Sequence, residues 1–209
     1  MAGKKSSPPE KPLKNKLIYI QALALQVFNR GKSSTNRIVQ FAKEELDLHV
    51  SKRGLKTVIN EVLGSSIEAA ESEKGLRNPY KITTKGKALA LRNRAIFAKL
   101  FGFQLEDELD LEAQEDPIEN RGVHNTALVL QTINLGQKKG GEIHAFITRE
   151  LKLKIDKSVV HRELRKLVRD GLIETTDSEK ILTYKLTGEG EERCKQYRAI
   201  VKKLFEFKD

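Results

Sequence analysis

Apolar positions fall into short helical stripes separated by polar turns. Residues 17–28 are apolar on almost every face and predict a buried helix ending at Gly31, and residues 126–135 repeat the pattern up to Gly136. A polar start at 33–36, and again at 140–142, opens a second helix, which in the first stretch buries Ile38, Phe41, Ala42 and Leu46. After a turn at 48–50, Ser51 is placed to cap a third helix, with Asp156 in the matching position. Its apolar stripe is Leu55, Val58, Ile59, Val62 and Leu63, answered by Val160, Leu164, Leu167 and Val168, while Glu163 falls toward the flank. Residues 173–176 and 181–187, around a polar tip at 177–180, predict a β-hairpin. A long last helix puts Ile96, Phe97, Leu100 and Phe101 on one face, matched by Ile200, Val201, Leu204 and Phe205.

The two stretches read as copies. Ala22-Leu23-x-Leu25-Gln26-x-x-Asn29-x-Gly31 returns as Ala127-Leu128-x-Leu130-Gln131-x-x-Asn134-x-Gly136. Tyr80-Lys81-Ile82-Thr83-x-x-Gly86 returns as Tyr184-Lys185-Leu186-Thr187-x-x-Gly190, and Arg94-Ala95-Ile96-x-x-Lys99-Leu100-Phe101 as Arg198-Ala199-Ile200-x-x-Lys203-Leu204-Phe205. The unit is far longer than a solenoid repeat, so the expectation is two small domains related by internal duplication.

Three helices, a hairpin and a trailing helix resemble the winged-helix form of the helix-turn-helix. The likeness rests on Leu164-Arg165-Lys166-Leu167-Val168-Arg169-Asp170-Gly171-Leu172-Ile173, similar to a recognition helix leading through Gly into the first wing strand. Tyr184-x-Leu186-Thr187-x-x-Gly190 resembles the return strand. The first copy departs from the pattern, with Leu63-Gly64-Ser65-Ser66-Ile67 at the turn and a wing two residues longer. Residues 33–41 also resemble the linker-histone globular domain, although the extra helix and the lack of a Lys-rich C-terminal tail separate the two. The fold expected is α+β, mainly α, as two winged-helix domains. The division is a disordered basic tail over 1–16, domain one over 17–101, an acidic linker over 102–121 and domain two over 122–209.

Charge sharpens that division. The chain has 209 residues, 39 Lys plus Arg against 29 Asp plus Glu, and a net charge of +10. Counted by segment, 1–101 carries +12, 102–120 carries −8 with no base, and 121–209 carries +6. Two basic blocks around a self-repelling spacer suit an anionic polymer as partner. The resemblance implies that the third helix enters the major groove of DNA and that the wing meets phosphate or the minor groove. The residues on those surfaces have suitable chemistry. The first copy offers Lys52, Arg53, Lys56 and Asn60, and the second Lys157, Ser158, His161, Arg162, Arg165 and Arg169. The wings add Lys74 and Arg77, then Lys180 and Lys185. Arg is suited to guanine and Asn to adenine, while Lys52 and Lys56 suit phosphates.

Double-stranded DNA is therefore the expected partner, with a chromatin-associated or transcription-regulating role and a nuclear location; a bacterial or archaeal nucleoid is the alternative. A protein-interaction scaffold is the competing class, docking through domain two or the acidic linker, with only one domain on DNA. RNA binding is a third class, disfavoured by 6% aromatic content and no stacking platform. The trailing helices either cap their own domains or pair, as an intrachain pseudo-dimer or a homodimer. No catalytic residue, metal site or cofactor is expected. His49, His124, His144 and His161 lack ligand spacing, 136–140 is no P-loop, and Cys194 reads as a buried helix residue. A single Cys makes no internal disulfide, no apolar run spans a bilayer, and no signal-peptide core is evident.

Overall fold

Helix α1 (Ile20–Asn29) buries residues 22 to 28 without interruption, so it sits at the centre of its packed unit. This is a computed structural model, and it describes residues 13–14, 17–31, 34–70, 80–105, 118–120, 122–178 and 181–208. The described residues form a mainly helical α+β fold, with eight helices and two small antiparallel hairpins.

Around α1, the first half is built from locally determined pieces. Ser34 Oγ accepts from Arg37 N at 3.3 Å and starts α2 (Thr35–Leu46), which buries Ile38, Phe41, Ala42 and Leu46 as its stripe predicts. The expected turn at 48–50 is instead β2 (Leu48–His49), paired in parallel with β1 (Leu13–Lys14). The basic tail expected over 1–16 therefore contains a strand at its end; its other residues lie outside the described ones. Ser51 Oγ accepts from Gly54 N at 3.3 Å and caps α3 (Lys52–Thr57). The helix then runs on through a π-helical stretch (Val58–Val62), closed by Leu63 N donating to the Val58 carbonyl at 3.0 Å. Strands β3 (Ile67–Ala69) and β4 (Tyr80–Ile82) form the first hairpin, and α4 (Thr84–Phe101) follows.

The second half runs β5 (Ile118–Glu119), α5 (Asn125–Asn134) and α6 (Gly140–Ala145), the last extended by a π-helical stretch (Phe146–Glu150). Next come β6 (Leu153–Lys154), parallel to β5, and α7 (Lys157–Arg169). Strands β7 (Ile173–Ser178) and β8 (Ile181–Leu186) form the longer hairpin, two residues further into the expected tip than the alternation implies, and α8 (Gly188–Phe205) closes the fold. The Thr-x-x-Gly motif has the same explanation at both long helices. Thr83 and Thr187 hydroxyls each accept from the Gly N three residues on, at 3.1 Å, and a Cβ at Gly86 or Gly190 would collide with the carbonyl of Ser66 or Leu172.

Several expectations are corrected in detail. Helix α1 begins at Ile20 and not at residue 17, because Ile18 bridges antiparallel to Val123 and Tyr19 is extended. Asp156 precedes α7 but makes no side-chain cap bond. Val168 is 37% exposed, since α7 turns Val160, Leu164 and Leu167 inward and Val168 lies a helical step away from that stripe. Glu163 is buried at 6% and not on the flank.

The two halves share one core. Phe97 and Phe205 rings meet at 4.8 Å, and Phe103 and Phe207 at 4.6 Å. Arg198 lies over the Phe103 ring at 4.4 Å and Arg94 over the Phe207 ring at 5.2 Å. Near the start of α1 and α5, Tyr19 N donates to the Gly122 carbonyl at 3.0 Å and His124 N to the Leu17 carbonyl at 2.9 Å.

Candidate nucleic-acid interface

Helix α7 is anchored by Val160, Leu164 and Leu167, all fully buried, which fixes what its other side presents. Ser158, Arg162, Arg165 and Arg169 follow at intervals of four, three and four and make one exposed stripe, with exposed Lys157 and His161 beside it. Beneath the helix, Glu163 accepts from Thr126 Oγ1 at 2.9 Å and from Lys166 Nζ at 3.1 Å, tying α7 to α5. His161 is held against α6, where a Cβ at Gly140 would come within 3.1 Å of its Cε1. Burial raises the Tyr184 phenol above its ordinary range while the charge of Arg165 pulls it back. At Tyr19, burial likewise raises the phenol, and the charge of Arg162 is among the opposing influences. Arg165 thus acts on Tyr184 of the second hairpin, and Arg162 on Tyr19 before α1.

On α3, Lys52, Arg53, Lys56 and Asn60 are all exposed. With Thr57 and Glu61 they line one open depression of about 440 Å³. Leu55, Ile59 and Leu63 hold this helix on its inner side. Neither α3 nor α7 has an acid in its first turn, and each starts with a base, Lys52 and Lys157. Cations at that end oppose the helix dipole, so helix stability does not explain them. Arg169 has a local reason: it sits in the last turn of α7 and contacts Asp170 at 3.4 Å. Among the described residues, Lys52, Arg53, Lys56, Lys157, Arg162 and Arg165 have no carboxylate partner.

The wings differ from expectation. Lys74, Arg77 and Lys180 lie outside the described residues. Lys185 is not an open cation but pairs across the hairpin with Glu174 at 2.8 Å, as Lys81 does with Glu68 at 3.1 Å. The strand register puts each Glu opposite its Lys. Sequence reasoning also missed Tyr19, Tyr184 and the Glu163–Thr126–Lys166 cluster; the only sequence signal for the last was an acid flanking an otherwise basic helix. Of the expected linker over 102–121, only residues 102–105 and 118–120 are described.

Among the described residues no group of three His, Cys, Asp or Glu side chains is arranged to hold a metal, and no helix is long and apolar enough to cross a membrane. His144 Nε2 lies 3.0 Å from the Ile155 carbonyl, and His124 Nδ1 accepts from Thr126 N at 3.3 Å. Cys194 is buried, and burial together with Glu191 pushes its thiol up to about 12. No protein-family model, no curated protein and no solved structure gives a significant match to this chain.

Proposed function

We propose that this chain binds double-stranded DNA through two winged-helix modules related by internal duplication, in a chromatin-associated or transcription-regulating role without catalysis. The observation that carries the reading is the exposed stripe on α7, where Arg162 and Arg165 stand clear of any carboxylate among the described residues. The matching basic face on α3 supports it, as does the recurrence of the same order of helices and strands in both halves. The α4–α8 contacts suit an intrachain pseudo-dimer, in which two recognition helices meet one duplex. Docking is electrostatic, with Lys52, Lys56 and Lys157 on phosphates, and selectivity comes from guanidinium groups on base edges.

Paired substitutions test this. Arg53→Ala/Lys56→Ala and Arg162→Ala/Arg165→Ala are each expected to weaken binding to a preferred duplex, selected from a random pool, at least tenfold, measured by fluorescence anisotropy. Loss from the first pair alone would favour divided labour, with the second half docking a protein. Loss from neither would remove the DNA reading.

A further inference from the structure

The two basic faces differ in geometry and in chemistry. Helix α7 is unbroken over 13 residues, and its arginines repeat at regular α-helical spacing. Helix α3 is α-helical for only 6 residues before the π-helical stretch, and Asn60 lies inside that stretch. Asn60 shares a depression with Lys56 but lies past the change of winding from it. The α3 face carries a single guanidinium, Arg53, among lysines, and Glu61 puts a negative charge on the rim beside Asn60. Two guanidiniums a turn apart match the fork geometry of guanine edges, whereas lysines act as point charges toward phosphate. Support beneath the helices differs as well. Arg162 and Arg165 flank the buried Glu163–Thr126–Lys166 cluster that fixes α7 on α5. The halves do not turn freely against each other, because α4 and α8 share a core and the Ile18–Val123 bridge ties the segments that lead into α1 and α5.

Resting on the DNA-binding reading above, we infer that the interface is directional: α7 reads base edges in one half-site through Arg162 and Arg165, while α3 grips only backbone in the other. The preferred ligand is a duplex whose sequence is constrained on one side of its centre, and the chain lies on it in one orientation. Conformity to a palindrome has no value to such a protein, although its two halves have the same order of elements.

Selection from a randomised duplex library with the full chain tests this, followed by affinity measurements on the selected and on random duplexes. The expected result is enrichment confined to one half-site, with at least tenfold preference over random duplex. Arg162→Ala/Arg165→Ala then brings that ratio near one and leaves the salt slope almost unchanged. Arg53→Ala/Lys56→Ala weakens both duplexes equally and reduces the slope by about two. Enrichment of a palindrome, loss of preference from the α3 pair, or binding without enrichment overturns directionality and leaves DNA binding standing. Absence of binding to any duplex overturns both readings.

Discussion

Arg94 Nε donates to the Phe205 carbonyl at 3.4 Å, and the reciprocal bond runs from Arg198 Nε to the Phe101 carbonyl at 3.3 Å. Each guanidinium also covers a ring just beyond the opposite helix, Phe207 or Phe103. This exchange has the form of an isologous interface within one chain. Replacing either Arg by Ala is expected to cost about 1–2 kcal/mol. Phe205→Ala empties a buried site and should cost about 3–5 kcal/mol. Urea unfolding of the parent checks the shared core: one cooperative transition is expected, and two separated transitions would contradict it.

The polar cluster under α7 makes an asymmetric prediction. Lys166→Met removes the cation from the buried Glu163 carboxylate while the Thr126 hydroxyl stays, and should destabilise by about 1–3 kcal/mol. Glu163→Gln keeps an acceptor for Thr126 and removes the buried charge, so its cost should be under about 1 kcal/mol. The reverse order in denaturant midpoints would show that the cluster is not charged as described.

Much of the fold was legible because its signals are local. Ser34, Ser51, Thr83 and Thr187 cap the helices that follow them, and the buried stripes of α2 and α7 follow period 3.6. What escaped is non-local or one helical step from a boundary. Nothing near Leu17 in sequence announces that Val123 will hold Ile18 extended. Val168 is apolar and adjacent to the stripe, so burial could not be denied it until the helix phase was set. At the site, exposure of Arg162 and Arg165 followed from that phase, whereas neutralisation of Lys185 depended on its strand register with Glu174.

Alkaline pH should destabilise the protein. Burial raises the phenols of Tyr19, Tyr184 and Tyr197 above their ordinary 10.0, and burial with Glu191 raises Cys194 from 9.0 to about 12. The folded state therefore keeps protons that the unfolded state releases. The associated stability is complete below pH 9 and is lost as pH rises from there toward 12. Urea midpoints should be flat with respect to these groups from pH 7 to 8.5 and fall between pH 9 and 11; a rise over that window would contradict the burial. At pH 8, Cys194 should react with Ellman's reagent only after urea unfolds the chain.

The described hairpin charges should contribute little to DNA binding. Glu174→Ala/Lys185→Ala removes an exposed pair without changing net charge, so stability should shift by less than about 1 kcal/mol. Duplex affinity should stay within twofold of the parent by anisotropy. A tenfold loss would place this face of the wing on DNA.

The most direct test of the central claim is anisotropy of the full chain on a random duplex across a salt series. With Lys52, Arg53, Lys56 and Lys157 on phosphates, log affinity should fall against log salt with a slope of about −3.6 or steeper. No binding even at low salt, or binding that salt leaves unchanged, would contradict the account and favour a protein partner for these faces.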